Sequence, residues 1–198
     1  MHYHTSSFYK LVGAYLVPLD RYVTVDIVIW LQITEALVRL PSDATQTMFT
    51  HMLLTVPIFV NLSLQYSEEY RKVNPKCELP ALQIDNVTLT QSLPIMEYLE
   101  ETRPSVGCSL LPKDPVKRAI VRKLSEIINS GIQPLQNLSV MRYLPPDISR
   151  DQWAAHWIQR GFKALEAELQ KVSGNYCVGD ELSMADICLV PQVYNAHR

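Results

Sequence analysis

The stretch from Glu78 to Glu101, ELPALQIDNVTLTQSLPIMEYLEE, constrains the fold more than any other part of the chain. Leu79-Pro-Ala-Leu-Gln-Ile reads as a strand with a proline near its start, and Asp85-Asn86 as a tight turn. Val87–Thr90 then alternates as a second strand. A helix opens on Gln91-Ser92, with Ser92 as its cap and Pro94 in its first turn, where proline is tolerated. This helix is expected to bury Leu93, Met96 and Leu99 and to stop before Pro104. A hairpin running into a helix N-terminus offers a backbone edge and free amides to one small peptide-like ligand.

Two positions in this stretch suit such a ligand. An X-Pro bond at Leu79-Pro80 can be cis, but the base rate favours a trans proline on an edge strand, and trans is the expectation. A cis bond would turn the Leu79 amide and carbonyl outward, toward the backbone of a bound peptide. Gln91 can both donate and accept, and the Ser92 hydroxyl with the free amides of a helix start suits a carboxylate. Against this stands the plain reading of Gln91-Ser92 as an ordinary N-cap.

The rest of the chain narrows the class. Its 198 residues suit one large domain or two small ones, and 47% hydrophobic residues suffice for a real core. Net charge is −2, with no basic run or basic-aromatic stripe, which argues against a nucleic-acid partner. The four cysteines, Cys77, Cys108, Cys177 and Cys188, form no Cys-x-x-Cys pair and no zinc-ligand spacing. They read as reduced thiols of a cytoplasmic or mitochondrial protein. MHYHTSSFYK lacks the pattern of a secretory signal, so the three Asn-x-Ser/Thr sites are expected to be unmodified. Tyr22–Leu40 carries Asp26, Glu35 and Arg39, and Met48–Leu64 is short and broken by Pro57, so no membrane span is expected.

Along the chain, Val23, Val25, Ile27 and Ile29 alternate like a strand, and Leu31 to Leu40 suits a helix. QYSEEYRKVNP reads as a short polar helix or turn ending at Asn74-Pro75. Ser105–Pro112 is the expected linker and domain boundary, and beyond it the pattern is all-helical. Asp114 caps a helix with Pro115 in first place, and its stripe is Val116, Ile120, Leu124, Ile127, Leu135 and Leu138, bent at Gly131 and Pro134. A second helix runs from about Ser149 to Val172 with Trp153, Trp157, Leu165 and Leu169 on one face, and His156 reads as a partly buried structural histidine. In Leu182-Ser-Met-Ala-Asp-Ile, Ser183 and Asp186 form a capping box with Leu182 and Ile187 as a staple. Cys177 and Cys188 read as core thiols, while Cys77, nearest the Leu79 edge, is the one that could form a mixed disulfide.

QYSEEYRKVNP, ELPALQID, TQSLPIMEYLEETRP, GIQPLQNLSV and YCVGDELSMADICLVPQVYNA together closely resemble zeta-class glutathione transferases, the maleylacetoacetate isomerases. The resemblance covers residues 65–197, about two thirds of the chain. It implies an α+β fold of glutathione-transferase type, with a thioredoxin-like N-terminal domain and an all-helical C-terminal domain. The segments are then 1–64, atypical; 65–104, the remainder of the thioredoxin-like domain; and 113–198, helical. It implies glutathione as cosubstrate, bound through the Leu79 backbone, with Gln91 and Ser92 on its γ-glutamyl end and Gln65 on its glycyl end. Gln133, Asn137, Leu138 and Ser139 match the family's contacts from the helical domain. In such enzymes the glutathione thiolate adds to the double bond of maleylacetoacetate, the single bond rotates, and elimination gives fumarylacetoacetate. Related members act on α-haloacids, and a homodimer is part of the same expectation.

The chain also departs from the family. The family sets a Ser-Ser-Cys motif, followed by an aromatic residue and an arginine, at the start of its first helix to stabilise the thiolate. In this chain Ser6-Ser7 is followed by Phe8 and reads as a terminal pair. Val23–Ile29 or Val56–Val60 are the candidates for the family's missing inner strand. The chain reads as a family member with a substituted front and a truncated end, as an alternative transcript or imperfect gene model would give. Two functions follow: an isomerase or transferase, or a non-catalytic variant that keeps glutathione binding or dimerisation. A thiol-disulfide oxidoreductase is a poor third without Cys-x-x-Cys.

Overall fold

The computed structural model describes residues 64–104 and 108–197. The expectations for Ser6-Ser7, Val23–Ile29, Leu31–Leu40 and Val56–Val60 lie outside the described residues. Those described fall into two compact units, one ending at Leu110 and the other beginning at Leu111.

In the first unit a 3-10 turn, Leu64–Tyr66, leads into helix α1 (Glu68–Val73). Ser67 opens α1 by accepting a hydrogen bond from the Tyr70 amide at 3.1 Å, and Asn74 closes it. Glu68 and Glu69 in the first turn and Arg71 and Lys72 in the last both complement the helix dipole. Strands β1 (Ala81–Ile84) and β2 (Val87–Thr90) pair antiparallel, from Ala81 opposite Thr90 to Ile84 opposite Val87. The expected turn is present: Asp85 and Asn86 both take positive φ, 49° and 62°, as a two-residue hairpin turn of the favoured twist requires. β1 starts two residues later than expected, after Pro80.

Helix α2 (Ser92–Thr102) follows at once. It buries Ser92, Ile95, Met96 and Leu99, while Leu93 is only half-buried, which corrects the expected face. Positions 93, 96 and 99 drift around a helix of 3.6 residues per turn, whereas 92, 95, 96 and 99 hold to one stripe. Tyr98 and Arg103 both donate to the Asp85 carboxylate, at 2.6 Å and 2.7 Å, and so tie the end of α2 to the hairpin turn.

The second unit is helical. Helix α3 (Pro115–Asn129) opens as expected, with the Asp114 carboxylate accepting from the Lys117 amide at 2.7 Å. Its buried face is Val121, Leu124, Ser125 and Ile128, not the stripe beginning at Val116, which is 66% exposed. Nor does α3 bend and continue through Leu138. It ends at Asn129, and a 3-10 turn, Gln133–Gln136, and helix α4 (Leu138–Met141) follow. The Ile132 amide still donates to the Ile128 carbonyl at 3.1 Å, but Pro134 has no amide with which to continue the ladder.

Helix α5 (Arg150–Val172) is capped by Ser149 and buries Leu165 and Leu169, with Trp153 and Trp157 half-buried and His156 exposed. The expected partial burial of His156 does not hold, because the residue lies off the inward stripe. Gly161 of α5 lies against the fully buried Ile132, so the helix can approach the turn after α3 closely. Helix α6 (Met184–His197) is buried over most of its length, including Met184, Ile187, Leu189 and Val193.

The Leu182–Ile187 motif caps α6 in a modified form. The buried Asp186 carboxylate accepts from the Ser183 amide at 2.8 Å, the Ser183 hydroxyl at 2.7 Å and the Cys177 amide at 2.8 Å. Ser183 thus donates its hydroxyl instead of accepting from the helix, and the carboxylate does the capping.

Candidate functional site

The β1–β2 register sets one half of the site. Leu79 lies two residues before Ala81 and Ser92 two residues after Thr90, so both flank the open end of the hairpin. The Leu79-Pro80 bond is cis, against the trans expectation. The trans preference of an X-Pro bond is only about 0.5–1 kcal/mol, small enough for tertiary contacts to override. Among the described residues no hydrogen bond engages the Leu79 amide or carbonyl.

At the other strand end, Gln91 has φ 71° and ψ 130°, outside the conformations a non-glycine residue ordinarily takes. Such a residue costs on the order of 1–3 kcal/mol and persists only where the surrounding structure holds it. Gln91 occupies the cap position and Ser92 is the first helical residue, 7% exposed, which corrects the expectation that Ser92 caps. The chain must turn from β2 into α2 at a single residue, and the unusual φ of Gln91 does this. Because Gln91 makes no side-chain cap hydrogen bond, the first amides of α2 keep no partner from it. They point their partial positive charge beyond the helix end, where an anion would sit.

Gln65 lies in the 3-10 turn before α1. Its Oε1 is buried with no hydrogen-bond partner among the described residues. Cys77, half-buried with φ 57°, lies two residues before Leu79.

In the helical unit the expected contacts cluster in one turn. Gln133 opens the 3-10 turn and is half-buried. Asn137 caps α4, its Oδ1 accepting from the Ser139 amide at 2.9 Å and the Ser139 hydroxyl at 2.8 Å. Leu138 is 53% exposed and Ser139 is exposed. Behind this turn sits a group that the motif reading missed. Gln136 donates to Gln192 at 2.6 Å and accepts from Asn195 at 2.7 Å, joining the turn to α6 inside the unit. Its signal was the second glutamine of GIQPLQNLS, a long polar side chain following the apolar Pro134 and Leu135.

The buried thiols are chemically quiet. Burial, then the neighbouring Asp186 carboxylate, pushes the Cys177 thiol far up, and burial lifts Cys188 to about 12. Both therefore stay protonated, and the expectation of core thiols holds. Among the described residues no cluster could hold a metal ion, and no helix is long and apolar enough to cross a membrane.

The family model for the glutathione S-transferase N-terminal domain matches residues 43–102, beginning earlier than the motifs quoted above. The maleylacetoacetate isomerase of Mus musculus is 59% identical over 134 residues, covering 68% of this chain and 61% of that protein. A maleyl pyruvate isomerase described as a bacterial zeta-class glutathione S-transferase aligns at TM-score 0.68 and 30% identity, covering 87% of this chain and 79% of its own. The maleylacetoacetate isomerase of Anaeromyxobacter dehalogenans 2CP-1, solved with glutathione in its active site, aligns at TM-score 0.66 and 33% identity, covering 89% and 80%. The chain belongs to the glutathione S-transferase family, in its zeta class. Its fold is accordingly α+β, with a thioredoxin-like part before the helical part. The chain spans 53% of the length of the probable maleylacetoacetate isomerase 1 of Drosophila melanogaster and 61% of the Mus musculus protein, a little over half of each.

Proposed function

We propose that this chain is a glutathione-dependent isomerase or transferase that turns maleylacetoacetate into fumarylacetoacetate, a step of phenylalanine and tyrosine breakdown. The observation that carries the reading is the open hairpin end, where the Leu79 backbone and the first turn of α2 meet, in a chain 59% identical over 134 residues to a maleylacetoacetate isomerase.

The described residues fit glutathione by their donor and acceptor sets. The Leu79 amide and carbonyl pair with its peptide backbone, as in strand addition. The α2 amides, the Ser92 hydroxyl and the Gln91 amide group take the γ-glutamyl carboxylate and ammonium. Gln65 takes the glycyl end, its side-chain amide N–H groups suiting the carboxylate there. For the helical domain, the resemblance assigns glutathione contacts to Gln133, Asn137, Leu138 and Ser139. Bound glutathione supplies a thiolate nucleophile whose reversible addition lets the maleyl double bond rotate. α-Haloacids suit the same nucleophile by displacement of halide. The domain limits 65–104 and 113–198, a homodimeric assembly and a cytoplasmic or mitochondrial location belong to the same reading.

One observation favours a second reading. Ser6-Ser7 is followed by Phe8, so the family's Ser-Ser-Cys motif is not present there to favour the thiolate. A chain with only the grip would bind glutathione without turning over a maleyl substrate. The two separate in one experiment: calorimetric binding of glutathione alongside an assay of maleyl cis–trans isomerisation. Binding with turnover supports the enzyme, binding without turnover supports the second reading, and absence of binding sinks both.

A further inference from the structure

The carbonyl of Glu78 is an unusual point in the first unit, because two side chains from α1 and its cap converge on it. The Tyr70 hydroxyl donates to it at 2.8 Å and the Asn74 side-chain amide at 2.6 Å. Both residues are buried, Asn74 at 3% exposure. Asn74 is itself fixed: its Oδ1 accepts from the Lys76 amide at 3.1 Å, and its own carbonyl accepts from the Cys77 amide at 2.9 Å. Burial raises the Tyr70 hydroxyl above its ordinary value, partly opposed by its hydrogen bond with Asn74, so it stays a donor at neutral pH.

That carbonyl shares a peptide plane with the amide of Leu79. A trans peptide is rigid and planar and sets its carbonyl and N–H in opposite directions. Two hydrogen bonds that hold the Glu78 oxygen against α1 therefore aim the Leu79 N–H away from α1, and no partner takes it among the described residues. We propose that Tyr70 and Asn74 are positioning residues, which hold the Glu78–Leu79 peptide plane so that the Leu79 amide faces the backbone of bound glutathione. The inference rests on the reading that glutathione binds at Leu79. Neither side chain touches the ligand; each acts through the peptide plane. A preset donor spares the ligand the ordering cost of fixing it.

The test compares glutathione with an analogue in which the cysteinyl carbonyl is reduced to methylene, removing the acceptor for the Leu79 amide. Both are titrated calorimetrically into the full chain and into Tyr70→Phe and Asn74→Ala. In the wild-type chain glutathione is expected to bind about tenfold tighter than the analogue, as one well-aimed hydrogen bond allows. In each variant that ratio is expected to fall to within about two- to threefold. A merely structural role would weaken both ligands alike, and an unchanged ratio in the variants overturns the proposal. Tyr70→Phe loses only a hydroxyl, so it carries the test if Asn74→Ala fails to fold. If the wild-type chain binds glutathione and analogue equally, the Leu79 amide is not a contact and the positioning role falls alone. If it binds neither, the glutathione reading itself falls.

Discussion

Asp85 carries the clearest charge interaction of the first unit. The hydrogen bond from Tyr98, then that from Arg103, hold its carboxyl below the ordinary value of 3.8. A carboxyl depressed in the folded chain stabilises fully above its unfolded value and loses that stabilisation as pH falls through the folded value. The melting-temperature gap between wild type and Asp85→Asn is therefore expected to be widest near neutral pH and to close as pH falls below 3.8 through the lower folded value. A gap that persists unchanged into acid would contradict the assignment. The cysteines make a second residue-scale prediction. Thiol titration of the native chain should find Cys77 and Cys108 reactive, with Cys177 and Cys188 labelled only on denaturation. Much at this scale was not legible beforehand. The hydroxyl of Tyr70, the φ of Gln91 and the Gln136–Gln192–Asn195 group depend on contacts that no local spacing encodes, the last spanning more than fifty residues.

Elements were more legible than faces. The β1–Asp85-Asn86–β2 hairpin, the start of α3 at Asp114-Pro115 and the Ser149 cap of α5 carry local turn and cap chemistry, and they occur where that chemistry put them. The buried stripes of α2 and α3 followed only in part: Met96, Leu99 and Leu124 are buried as expected, while Leu93, Val116 and Ile120 are not. Which stripe turns inward is decided by the partner element. Helix packing supplies two tests. At Gly161 an alanine would gain about 1 kcal/mol of helix propensity. Its Cβ would, however, overlap the buried Ile132 side chain, and overpacking costs about 1–3 kcal/mol. Gly161→Ala is thus expected to lower stability in urea unfolding; a gain would show that Ile132 moves aside freely. Asp186→Ala strips the cap of α6 and leaves the buried Ser183 and Cys177 amides unpaired, which should cost on the order of 2–4 kcal/mol. A loss under 0.5 kcal/mol would mean that the carboxylate is no more than a surface cap.

At the scale of the whole molecule the family motifs carried more than the physics of composition did. The α+β class and the glutathione-transferase fold followed from GIQPLQNLSV, TQSLPIMEYLEETRP and the Leu182–Ile187 cap, whereas composition alone left only one or two globular domains. The central claim is that the open end of the β1–β2 hairpin, with the start of α2, grips glutathione. Isothermal titration of glutathione into the 198-residue chain, with Ser92→Ala in parallel, tests it most directly. Saturable binding that Ser92→Ala weakens about tenfold, as loss of a hydrogen bond to a charged group implies, is the predicted result. Binding that is absent in the wild-type chain, or unchanged by Ser92→Ala, would contradict it.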